Sequence, residues 1–101
     1  MYLVQLLLPL YDNSGRRLPQ SKFERVKTLL TRSFGGITVY KRAPAEGVSE
    51  EAKGVVRDAI VIFEVMTARL DKRWWKKYRK DLEHEFRQDC IIARASPITL
   101  L

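Results

Sequence analysis

DKRWWKKYRKDLEHEFRQDCIIAR, residues 71–94, holds a helix and the strand that follows it. At 100° per residue, Trp75, Tyr78, Leu82 and Phe86 fall in one narrow stripe, the pattern of a helix that buries one side. Trp74 lies at the margin of that stripe. Asp71 stands where an N-cap is needed, with a side-chain oxygen for the first free amides. Arg73, Lys76, Lys77 and Lys80 project on nearly the opposite side. Residues 90–95 then alternate, with Ile91, Ala93 and Ala95 on one face and Cys90, Ile92 and Arg94 on the other. Pro97 ends that strand, because it cannot donate to a ladder.

Residues 55–66 form the clearest strand upstream. Val55, Ala59, Val61, Phe63 and Val65 share one face, broken by Arg57; Val56, Ile60, Ile62 and Met66 share the other, broken by Asp58 and Glu64. Residues 2–8 repeat the pattern, with Tyr2, Val4, Leu6 and Leu8 against Leu3, Gln5 and Leu7. Strands apolar on both sides are central strands covered twice. Regular pairing should stop or bulge at Pro9, and Asp12-Asn13-Ser14-Gly15 is a turn.

Between these strands lies a first helix. Ser21 and Glu24 have capping-box spacing, and Phe23, Val26, Leu30 and Phe34 recur on one stripe. Gly35-Gly36 supplies a left-handed stop. Residues 37–42 read as a short strand with Thr38, Tyr40 and Arg42 on one face. Residues 43–54 read as a solvated loop in preference to a lid over a site.

A chain of 101 residues fits one domain, residues 1–101. Its single cysteine, Cys90, excludes an intrachain disulfide and reads as a buried, inert thiol. The apolar start is too short to span a bilayer and carries no cleavage site, so the expected location is the cytoplasm, with no membrane partner. A net charge of +7 favours anionic partners.

Two strand–helix–strand units of this length predict an α+β, ferredoxin-like βαββαβ sandwich: an antiparallel sheet in the order 4, 1, 3, 2 with two helices on one face. The helices are expected to cover Val4, Leu6, Val39, Val61, Phe63, Ile91 and Ala93. Leu3, Leu7, Ile60, Ile62, Met66 and Ile92 would then lie bare on the other face. So much contiguous apolar surface needs a cover, and a second copy is the simplest one. In element order and doubly apolar strands the chain resembles the dimeric α+β-barrel group of small proteins. That group includes small oxygenases, isomerase-like enzymes and sensors. The resemblance implies a homodimer and leaves function open.

The strand order would align Arg94, Gln5, Glu64 and Tyr40 across that face. Such a row could hold an anionic ligand and move a proton, with Glu64 and Tyr40 as the exchanging groups and Arg94 as the anchor. It could equally be a polar network that sets sheet or dimer register, and that reading is preferred. Arg73, Lys76, Lys77 and Lys80 could meet phosphates, but a solvated face is the plainer reading, partly neutralised by Lys77 with Asp81 and Arg79 with Glu83. The open-face positions lack the aromatic platforms of RNA-recognition modules, so that mode is rejected. His84 has no ligand partners at metal spacing and reads as exposed. No phosphate loop, dinucleotide fingerprint or hydrolase elbow occurs, so neither metal nor cofactor is expected. Three roles follow: a non-enzymatic or regulatory interaction module, a cofactor-independent enzyme or ligand binder, and a nucleic-acid binder using the second helix. The first is preferred.

Overall fold

The computed structural model describes residues 1–42 and 59–101 and contains six elements in the order βαββαβ. They are β1 (Tyr2–Pro9), α1 (Gln20–Phe34), β2 (Thr38–Arg42), β3 (Ile60–Thr67), α2 (Lys72–Glu85) and β4 (Ile92–Pro97). The strands make one antiparallel sheet, ordered β2-β3-β1-β4. Read from the β4 edge, the order is 4, 1, 3, 2. The fold is therefore α+β, with one four-stranded antiparallel sheet and two helices.

Alternation along the strands builds the core. Val4, Leu6 and Leu8 of β1 and Val61, Phe63 and Val65 of β3 are all buried in one cluster. Phe23, Val26 and Leu30 of α1 and Trp75 and Leu82 of α2 join the same cluster, so both helices pack on that one face. Phe86 and Leu8 are completely buried, and the Phe86 ring meets Phe23 edge-on at 5.2 Å between centroids. A second aromatic group closes the other end. Phe34, the last residue of α1, stacks on Trp75 at 5.2 Å, and Trp74 meets both rings edge-on. Such pairs add a modest stabilisation beyond the area they bury.

The helix ends show how local chemistry sets the boundaries. Asp71 caps α2, its Oδ1 accepting from the Trp74 N–H at 3.0 Å. Gly35 ends α1 at φ 84°, a left-handed conformation that glycine adopts without strain, and its N–H reaches Thr31 O at 2.8 Å. The expected Ser21–Glu24 capping box does not form. Proline at position 19 has fixed φ and extended ψ (−62°, 144°), so the helix starts two residues earlier, with Lys22 N–H bonded to Pro19 O. Ser21 falls inside the first turn, and Glu24 accepts from Gln20 instead, at 3.3 Å.

One strand boundary holds and another shifts. Pairing of β1 with β3 does end at Pro9, opposite Ile60. The strand expected over residues 55–66 is β3 from Ile60, and its expected first part, with the loop 43–54, lies outside the described residues. The last strand begins at Ile92 rather than residue 90. Val39, expected on the covered face, is 40% exposed, since β2 is an edge strand with a neighbour on one side only.

Candidate functional site

The register lays the face away from the helices out in rows. Arg94, Gln5, Glu64 and Thr38 stand opposite one another on β4, β1, β3 and β2. On one side runs the row Ser96, Leu3 and Met66; on the other runs Ile92, Leu7, Ile62 and Tyr40. A polar row is thus held between two largely apolar ones.

Hydrogen bonds join three members of the polar row. Gln5 Nε2 donates to Glu64 Oε2 at 2.5 Å, and Arg94 Nε donates to Gln5 Oε1 at 2.8 Å. The charges at both ends set the amide's orientation: its carbonyl meets the guanidinium and its N–H meets the carboxylate. A flipped amide would place like partial charges against both neighbours, so the arrangement is polarised along one direction.

Three of the four residues expected in this row are therefore brought together. Tyr40 is the exception. The antiparallel register of β2 with β3 places Thr38 opposite Glu64 and Tyr40 opposite Ile62. An open cleft of about 400 Å³ adjoins Glu64, bounded by Leu3, Phe34, Ile37, Thr38 and Met66. Neither Arg94 nor Tyr40 lines it. A proton-exchanging pair of Glu64 and Tyr40 anchored by Arg94 is not assembled around one hollow.

Arg73, Lys76, Lys77 and Lys80 are all exposed on α2. Among the described residues the one ion pair is Arg79 with Glu83, at 2.9 Å; the expected Lys77–Asp81 pair does not form. These four cations therefore face water. His84 is exposed, and no group of three or more metal-binding side chains occurs among the described residues. Cys90 is exposed rather than buried. It lies in the connection before β4, while its neighbour Ile91 takes the core position at 1% exposure. Among the described residues no helix is long and apolar enough to cross a membrane.

Two titrating groups are shifted. The Asp12 carboxyl lies below its ordinary value, first because it accepts the Arg16 backbone N–H and then the Ser14 N–H. Tyr78 is pushed above its ordinary value by burial, with Glu85 and Asp81 adding to the effect. Neither belongs to the polar row.

Sequence reasoning missed the role of Glu83. Its Oε2 accepts from Arg79 Nη1 at 2.9 Å and from the Ile91 N–H at 2.8 Å, tying α2 to the chain entering β4. The i, i+4 spacing to Arg79 was legible, whereas the bond to a backbone amide eight residues on was not.

No protein-family model matches this chain, and neither the curated proteins nor the solved structures contain a match.

Proposed function

We propose that the protein is a ferredoxin-like, homodimeric interaction module whose two sheets stack through the face away from the helices. One observation carries the reading: that face keeps large apolar side chains in water. Met66 is 51% and Ile92 is 52% exposed and Leu3, Leu7 and Ile60 are half-buried, although Ile62, expected bare, is buried at 7% exposure. Scattered apolar residues are ordinary on a surface, but rows spanning three strands mark an association site. The same geometry weighs against an enzyme. Gln5 is engaged on both sides, and among the described residues the hollow beside Glu64 holds no second proton-exchanging group.

Sedimentation at micromolar concentration tests the proposal. The wild-type chain is expected to run as a dimer, and Met66→Lys with Ile92→Lys as a folded monomer with unchanged circular dichroism. A monomeric wild type would overturn the reading.

A further inference from the structure

We propose that the two copies are related by a two-fold axis running along β1 at Gln5, so that Arg94 of each copy meets Glu64 of the other. This rests on the sheet-face dimer above and adds its geometry.

The polar row has unused valences at both ends. Arg94 donates through Nε alone, which leaves both terminal amino groups without a partner among the described residues. Glu64 accepts through Oε2 and has no partner at Oε1 among the described residues. Within one chain these groups cannot meet directly, because β1 lies between their strands and the Gln5 side chain separates them. Covering the face would take both charges from water, and an unpaired charge in an interface is strongly unfavourable. The cover must therefore bring a cation over Glu64 and an anion over Arg94.

A second copy does this in one orientation. An axis along β1 at Gln5 exchanges β3 of one copy for β4 of the other. Glu64 then lies over Arg94, Ile62 over Ile92, Met66 over Ser96, and Leu3 and Leu7 over their own counterparts. Charge meets opposite charge, and the apolar rows lie on each other. An axis along the polar row itself would set Glu64 against Glu64 and Arg94 against Arg94. An axis midway between β1 and β3 would set Arg94 over Thr38, a hydroxyl in place of a carboxylate. The charges of the face thus complement their own two-fold image, which favours a second copy over a foreign partner. They also select its orientation, the use of polar interface groups best attested elsewhere. In this arrangement β2 overhangs the edge of the partner sheet.

Thiol cross-linking in a Cys90→Ser background tests the axis, since Cys90 is exposed and would confound it. Glu64→Cys and Arg94→Cys proteins are mixed, allowed to exchange subunits and treated with a short bis-methanethiosulfonate. The mixture is expected to yield covalent dimer about tenfold above either variant alone, because such links form only between thiols held close together. Efficient self-linking of Glu64→Cys would overturn the axis while leaving the dimer. Cross-linking of Gln5→Cys with Glu64→Cys in place of the expected pair would also overturn it. Sedimentation of the same samples separates these outcomes from a monomer, which would remove the dimer and the axis together.

Discussion

Gln5 and Glu64 face each other across β1 and β3, and the Gln5 amide donates to the Glu64 carboxylate. With Arg94 bonded to the amide oxygen, one neutral side chain links two opposite charges on three adjacent strands. The bond to Glu64 is half-buried, so water screens it only in part. A double-mutant cycle with Gln5→Ala and Glu64→Ala is expected to give a coupling of about 1 kcal/mol in urea unfolding. The cycle of Gln5→Ala with Tyr40→Ala is expected to give none, because Tyr40 belongs to another row. Equal coupling in both cycles would show that the row is not a unit.

Tyr78 makes stability depend on alkaline pH. Its phenol is half-buried beside the α2 carboxylates, and burial raises its ionisation above the ordinary value. The folded chain therefore holds this proton more tightly than the unfolded chain. That contribution is fully present below the ordinary tyrosine pKa of about 10 and is lost as pH rises through the folded value. Phenolate absorbance in a pH titration is expected to show one late step, which Tyr78→Phe removes. The same variant is expected to flatten the loss of thermal stability above about pH 10.

Glu83 is expected to distinguish charge from hydrogen bonding. One of its oxygens serves both Arg79 and the Ile91 amide, and the side chain is only 17% exposed. Glu83→Ala leaves the Ile91 N–H without its acceptor and is expected to cost about 2 kcal/mol in urea unfolding. Glu83→Gln keeps a carbonyl acceptor and is expected to cost about half as much. Equal losses would mean that the ion pair with Arg79, and not the backbone bond, holds α2 to the entry of β4.

Period and parity made most of this architecture legible. Val4, Leu6 and Leu8 against Leu3, Gln5 and Leu7 announced a central strand, and the Gln5–Glu64–Arg94 alignment followed from strand order and alternation alone. Register on β2 was not legible in the same way. Side-chain parity put Thr38 and Tyr40 on one face, but a choice between them needs the offset to β3, which no turn signal specifies. Ser21 misled because Pro19 begins the helix by backbone restriction, with no side-chain acceptor. Cys90 misled because alternation cannot say where pairing starts. Ile91 enters the core from the connection, so its neighbour is left outside.

Arg87 provides the last prediction. The end of α2 closes as a Schellman motif, with Gln88 N–H bonded to Glu83 O at 2.9 Å and Arg87 N–H to His84 O at 3.3 Å. The motif requires a left-handed residue between them, and Arg87 fills that place at φ 50°. Glycine takes this conformation freely, whereas a residue with a Cβ pays about 1 kcal/mol or more. Glycine is also freer in the unfolded chain, which offsets part of the gain. Nothing else in the fold requires a long side chain there: Arg87 is exposed and borders an open cleft with Asn13 and Asp89. Its charge acts on Asp12 less strongly than the Arg16 and Ser14 backbone bonds that hold that carboxylate. Arg87→Gly is therefore expected to stabilise the fold by about 0.5–1 kcal/mol, read as a higher urea midpoint with an unchanged slope. Arg87→Ala keeps the strain and loses the charge, so it is expected to give no such gain. A loss of stability in Arg87→Gly would show that the guanidinium holds the Asp12 turn against α2 more firmly than these contacts indicate.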